Sequence, residues 1–317
     1  MSLIRFSTDA LPTRDRAPVF RDLVGRRFIN TEMMVNPAYP RPFYFSMALA
    51  MGETVRIAEV DFAAVDVHRR AADLHDGDDG VTCFLPTGVP VRSEHRDRRG
   101  VIRPGGAVLI GHAAPGASCW PDNHVTLLMF PRAAFADPAP IDAAGGLTHA
   151  PGRPLLKLLR AYLRSVWRDA EAGAGVPPAV ERNLVAIVAG LAAHTADGMR
   201  RAAWPALGPA RVAAMREVIA RRAAEPGLSM REVAAAVGLS ERSGHLTFAA
   251  AALSFSECLA GARLDLVRAR LETGRPGRII DIALDAGFGD VAHFNRLFRR
   301  RFAMTPSDML HRGRATA

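Results

Sequence analysis

The chain has 317 residues, 49% hydrophobic and 23% charged, which supplies apolar side chain for two domain cores and rules out a disordered polymer. No apolar run nears the roughly 18 residues of a membrane span, and residues 1–9 lack the apolar core of a signal peptide, so a cytoplasmic protein without a membrane partner is expected. The net charge of +9 is carried by arginine, Lys157 being the sole lysine, and it gathers at the C-terminal end, where residues 209–317 hold 17 arginines against 11 carboxylates. DNA, RNA or an anionic surface would each be attracted there.

Residues 40–135 read as β structure. Short apolar runs at 55–60, 81–85, 107–110 and 125–130 recur between turns such as Pro86-Thr-Gly88 and Arg103-Pro-Gly-Gly106. Strands at that spacing predict an antiparallel sandwich or a small barrel. His68, Arg69 and Arg70 beside a predicted strand offer a clamp for an anionic small-molecule effector, because a guanidinium grips a carboxylate with two parallel bonds; a solvated charged turn is the competing reading. His68, His75, His95, His112 and His124 contain no H-x-H pair, so no metal site and no cofactor is expected. There is no G-x-S-x-G elbow, and no catalytic residue is assigned. Cys83, Cys119 and Cys258 are far apart, with no C-x-x-C, and read as buried inert thiols.

A Pro/Gly/Ala stretch at 136–154 ends the β pattern. Leu155, Leu156, Leu159, Tyr162, Leu163, Val166 and Trp167 then form one helical stripe, and Val180, Leu184, Ile187, Val188 and Leu191 a second, opened by Pro177-Pro178. These helices of segment 153–195 pack either on the β domain or on a second copy of the chain as a homodimer. Gly198, Pro205, Gly208 and Pro209 mark a linker. The expected division is 1–200, a linker at 201–209, and an almost wholly helical 210–317.

That last part contains an internal duplication. Ser229-Met-Arg-Glu-Val-Ala-Ala-Ala-Val-Gly-Leu-Ser240 and Ile280-Asp-Ile-Ala-Leu-Asp-Ala-Gly-Phe-Gly289 each read as helix, glycine turn, helix, with Gly238 and Gly287 supplying positive φ. Ser229 with Glu232, Ser254 with Glu257, and Thr305 with Asp308 are spaced as capping boxes, and Asp290 can cap the helix that follows it. On that helix Phe294, Leu297 and Phe298 form a buried stripe, while His293, Arg296 and Arg300 share another arc, the arrangement a major groove accepts.

The stretch from Ile280 to Asp308, with its Ile-Ala-x-x-x-Gly-Phe and His-Phe-x-Arg-x-Phe-Arg-Arg-x-Phe elements, resembles the AraC/XylS family of bacterial transcription regulators, and the likeness extends over residues 211–312. Phe6-Ser-Thr-Asp-Ala-Leu-Pro-Thr-Arg-Asp-Arg16 and Ile102-Arg-Pro-Gly-Gly-Ala-Val-Leu-Ile110 are similar to the AraC-binding-like sensor domain. The resemblance implies an α+β chain: an N-terminal antiparallel β barrel (cupin-like) with two helices, holding an effector, then an all-α double helix-turn-helix domain whose units are joined by a long helix at 259–272. It implies double-stranded DNA and RNA polymerase as partners, with activation the common outcome and repression also open. By the same likeness Val291, Ala292, Asn295 and Arg296 fall at base-reading positions, and Arg299, Arg300 and Arg301 at phosphate or surface positions. Arg242, His245 and Leu246 would face DNA from the first unit.

The first unit departs from the family pattern. Gly244 stands where a large apolar residue is usual, Leu246 where Arg or Lys is frequent, and residues 249–252 are all alanine; in the second unit Ala303 replaces a glycine. A thinner, softer first unit that reads less sequence is therefore expected. The alternative function is a small-molecule-binding or catalytic barrel with a degenerate DNA-binding tail.

Overall fold

The computed structural model describes residues 3–28, 31–36, 42–63, 65–193, 207–274 and 277–316. The chain divides into two compact units, Met1–Leu207 and Gly208–Ala317. Of the expected linker, residues 201–206 lie outside the described residues, and Gly208 and Pro209 already form the first turn of a helix.

The first unit is built on two antiparallel sheets. In spatial order the seven-stranded sheet runs β1 (Ile4–Ser7), β3 (Phe45–Met51), β4 (Arg56–Phe62), β11 (Asn123–Phe130), β6 (Val81–Pro86), β9 (Ala107–Gly111) and β12 (Thr148–His149). The five-stranded sheet runs β2 (Glu32–Val35), β5 (Val65–Arg69), β10 (Gly116–Trp120), β7 (Val91–His95) and β8 (Arg98–Ile102). The four apolar runs seen in the sequence all lie in the larger sheet. Its central strands β6 and β11 are buried on both faces, which is why they read as continuous apolar stretches rather than alternations.

The expected closed barrel is not formed; the domain is an open sandwich. At one seam β12 pairs only with β9, although Thr148 touches Gly100 of β8. Two residues are too few to ladder with both neighbours, and Pro151, which has no N–H to donate, follows closely.

Helix α1 (Thr13–Phe20) runs on into the wider turn Arg21–Phe28 and drives Phe20 between the sheets, against Phe43 and Phe45 at 5.0 and 4.7 Å. The short α2 (Ala139–Ala144) precedes α3 (Pro154–Glu171) and α4 (Pro178–Ala192). Both predicted stripes on α3 and α4 are turned into this unit's own core, with Trp167 and Val180 at their half-buried margins. Arg160 of α3 donates to the carbonyls of Pro86, Gly105 and Gly106, and buried Glu181 of α4 accepts from the Thr54 amide and hydroxyl. Of the cysteines, Cys83 is buried, with burial pushing its thiol up to about 12. Cys119 is exposed, contrary to expectation, because it takes an outward position on β10.

The second unit consists of α5 (Gly208–Arg222), α6 (Met230–Ala236), α7 (Glu241–Ala250), α8 (Phe255–Glu272), α9 (Ile279–Asp285), α10 (Val291–Phe302) and α11 (Pro306–Thr316). Helices α6 and α7 form one helix-turn-helix, α9 and α10 the other, and Gly238 and Gly287 sit in the turns with φ of 75° and 91°. The boxes at Ser229/Glu232 and Thr305/Asp308 close as expected. The one at Ser254 does not, since its hydroxyl is taken by Ser256. The long helix begins four residues earlier than expected, at Phe255.

Two departures from the family pattern find a physical account. Gly244 leaves no void: Met230 Sδ lies 2.8 Å, and Ala234 Cβ 3.1 Å, from where a Cβ would stand, so methionine fills the space and the expected thinning is absent. Ala252 and Ala303 both occupy left-handed positions at φ 53°, at the ends of α7 and α10, where glycine carries no steric penalty.

Replacing Ala252 or Ala303 by glycine is therefore expected to raise the stability of the unit by about 1 kcal/mol each. Gly287→Ala is expected to lower it by about 1–3 kcal/mol, because the new methyl meets a backbone carbonyl at a positive φ. Gly289→Ala, which has open space around it, serves as the control. Urea unfolding midpoints with unchanged slopes would measure all four.

Candidate functional site

The second helix-turn-helix presents a basic face on α10. Asp290 caps this helix, accepting from the amides of Ala292 and His293 at 2.8 and 3.1 Å, and those bonds hold its carboxyl below the usual range. Phe294 and Phe298 are fully buried and continue a chain of rings from Phe288 to Phe302, spaced 5.1, 5.6 and 4.7 Å. The rings fix the helix about its own axis. Ala292, His293, Arg296, Arg299 and Arg300 consequently stand exposed, with Val291 and Asn295 half-buried at the margin.

Among the described residues Arg296, Arg299 and Arg300 make no side-chain hydrogen bond or ion pair. Arg301, by contrast, is held at 2.9 Å by both carboxylate oxygens of Asp265 and lies over the Phe302 ring. The motif therefore splits into three unengaged guanidiniums and one structural one.

In the first helix-turn-helix, Ser240 caps α7 through the Ser243 amide, and Phe248 is buried. Arg242, His245 and Leu246 share its exposed face, Leu246 at 60% exposure. An apolar side chain standing in solvent on a capped helix suits contact with a thymine methyl. The two helix-turn-helix motifs meet at Arg263 of α8, which donates to the carbonyls of Ala223 and Glu225 just past α5, at 2.9 and 3.2 Å. Gly287 backs onto the same spot: a Cβ there would lie 2.8 Å from Arg263 Nε and 2.9 Å from the Ala223 oxygen.

The effector clamp expected at residues 68–70 does not come together. Adjacent residues of a strand face opposite ways. Arg69 of β5 points inward, is 8% exposed, bonds to the His112 carbonyl and pairs with both oxygens of Asp76. Arg70, beyond the strand end, pairs with Glu32 at the surface, and His68 lies on the face opposite Arg69.

A cavity does open between the sheets, in two lobes of about 90 Å³ each. One, the polar lobe, carries Arg69, Asp78, Thr82, Ser93, His95 and His112 on an otherwise apolar wall. The other is apolar, between Phe20, Met33, Phe45, Val60, Phe62 and Val125. Trp120, Phe84, Val67 and Leu127 belong to both lobes. On the polar wall Asp78 Oδ2 lies 2.8 Å from His112 Nδ1, and His112 Nε2 lies 2.8 Å from Thr82 Oγ1. Ser93 was not singled out in the sequence, and His95 only as one of five histidines without an H-x-H pair. Their signal was the alternation Val91, Ser93, His95, which sends polar residues to the inner face. Among the described residues no group of three His, Cys, Asp or Glu is placed to hold a metal ion.

Burial, reinforced by the charges of Arg96, His112 and Arg98, lowers the His95 pKa from 6.5 to about 4. An unfolded chain takes up this proton first, so the stability tied to a neutral His95 is full above pH 6.5 and is lost as pH falls toward about 4. The gap corresponds to about 3 kcal/mol. Urea unfolding across this window is expected to show that loss in the natural chain and its removal in His95→Leu.

Comparison with known proteins gives two family matches, an AraC-binding-like domain over residues 20–192 and a helix-turn-helix domain over 233–312. The chain is 32% identical over 100 residues to the transcriptional activator RhrA of Rhizobium meliloti (strain 1021), covering 31% of this chain and 32% of that protein. It is 35% identical over 92 residues to the transcriptional activator NphR of Rhodococcus sp, covering 29% and 27% respectively. The matched stretch thus spans about a third of the length of these curated relatives. Among solved structures, the AraC-like transcriptional activator CuxR shares the fold, with a TM-score of 0.53 and 17% identity over 89% of this chain and all of that one. No helix among the described residues is long and apolar enough to cross a membrane.

Proposed function

Because the chain belongs to the AraC family of transcription regulators, we propose that it binds double-stranded DNA in a sequence-specific way, through α10 first and α7 second, and that a small molecule held by its β sandwich governs that binding. The observation that carries this reading is the state of Arg296. It is exposed and unengaged on a helix whose rotation is locked by buried phenylalanines and whose start is capped by Asp290. A guanidinium so presented suits the O6 and N7 acceptors of guanine in a major groove.

Asn295 beside it is the candidate for adenine, Val291 and Ala292 for close contact at the groove floor, and Arg299 and Arg300 for phosphates. Arg242, His245 and Leu246 extend the footprint from the first unit. With Gly244 well packed, a weaker role for that unit rests on its chemistry: its face offers one guanidinium where α10 offers three. RNA polymerase is the further partner, activation is the sense of regulation that RhrA and NphR favour, and no catalytic role is assigned. Self-association through segment 153–195 would use the half-buried face of α4 at Val185, Ala186 and Ala189, since the two helical stripes are turned inward. The degenerate-tail alternative is weakened, because the second helix of each helix-turn-helix is capped, by Ser240 and Asp290, and Gly244 is well packed.

Binding of the full chain to the DNA upstream of its own gene, over a salt series, tests the reading. Arg296→Ala is expected to weaken specific binding by about 1–3 kcal/mol and to relax one base position. Arg299→Ala is expected to weaken all sequences alike and to reduce the salt slope by about 1. Arg242→Ala and His245→Ala are expected to cost less discrimination than Arg296→Ala. Equal affinity for every duplex would overturn the proposal.

A further inference from the structure

Buried polar groups are nearly always hydrogen-bonded, so an exception calls for a missing partner. His95 is such an exception. It is 1% exposed, it lies on the wall of the polar lobe, and neither Nδ1 nor Nε2 has a hydrogen-bond partner. Ser93, two residues earlier on the same inner face of β7, is also buried, and among the described residues its hydroxyl makes no hydrogen bond.

The charged groups around them are in a different condition. Arg69 is matched by Asp76, Asp78 by His112 and Glu94 by Arg99, and Arg56 is engaged as well. An entering carboxylate would find no spare cation and would lose its hydration without compensation. This reverses the anionic effector expected from residues 68–70.

We propose that the cavity takes one small neutral molecule with a hydroxyl at one end and an apolar ring or short chain at the other, the hydroxyl bonding to His95 and Ser93. A neutral imidazole carries one donor and one acceptor, and so does an alcohol or phenol, so each completes the other. His95 is neutral there because burial holds its proton affinity down. The apolar end has a matching bed: Trp120 stands 5.3 Å from Phe84 and 6.0 Å from Phe62, on the boundary between the lobes. The two lobes, about 90 Å³ each, together somewhat exceed the roughly 150 Å³ apolar cavity that accommodates benzene, which limits the guest to about one ring with a small substituent. The proposal rests on the effector reading for its biological meaning, but binding is measured without DNA.

Three probes of nearly equal size separate the terms: benzyl alcohol, benzoate and toluene, each added to the full chain during thermal unfolding. Benzyl alcohol is expected to raise the midpoint by several degrees, toluene by much less, and benzoate not at all. His95→Leu is expected to abolish the benzyl alcohol shift while leaving the ligand-free midpoint no lower than before, since it removes an unsatisfied polar group. Ser93→Ala is expected to reduce the shift. A benzoate shift equal to or larger than that of benzyl alcohol, no response to benzyl alcohol, or a full response in His95→Leu would each overturn the proposal. Sequence-selective DNA binding without a benzyl alcohol response would overturn this proposal alone. A His95-dependent response in a chain that binds all duplexes equally would support it and overturn the regulator reading.

Discussion

The contact of Arg263 with the carbonyls of Ala223 and Glu225, with Gly287 pressed against it, is the joint on which the second unit depends. A helix end leaves carbonyls without partners, and here a side chain from α8 satisfies them. The turn of the second helix-turn-helix can approach that point only because residue 287 has no side chain and accepts φ 91°. One arginine and one glycine thereby hold the turn that leads into α10 against the end of α5, joining the two helix-turn-helix motifs. On the proposed reading, such a stiff joint gives a fixed spacing to the sequence selected, whereas a flexible tether would let the two motifs read independently.

The first unit divides its labour differently. The seven-stranded sheet holds the apolar mass, clamped from outside by Arg160 on the Pro86, Gly105 and Gly106 carbonyls and by Glu181 on Thr54. Much of the polar inner surface comes from the five-stranded sheet, through Arg69, Ser93 and His95. Arg69 and Asp76 cancel as a buried pair, so among the described residues His95 remains as the unsatisfied group facing the cavity, with Ser93 beside it on the same face. The Asp78–His112–Thr82 chain orients the opposite wall, the imidazole bridging the carboxylate and the hydroxyl at 2.8 Å on each side.

The legibility of the sequence followed how local each determinant is. Capped helices with glycine turns are written within a few residues, so the duplication, Gly238, Gly287 and the Phe294/Phe298 stripe were all visible. The Ser254 box failed because a neighbouring hydroxyl competed for the same bond. Gly244 misled because its filler, Met230, comes from another helix. In the β domain the apolar runs were legible and the polar inward strands were not, since Ser93 and His95 look like surface residues until a second sheet covers them. The clamp at 68–70 was legible as an error in principle: neighbouring strand residues cannot converge on one ligand. Sandwich against barrel turned on the brevity of β12, which no pattern in the apolar residues announces.

The separation of the two sheets has an evolutionary consequence. Mutations at Ser93 or His95 alter what the interior favours while leaving the apolar strands that hold the domain together untouched. Chemical selectivity is then free to drift by single steps on one wall, and descendants of this scaffold can answer to new molecules without first relearning how to fold.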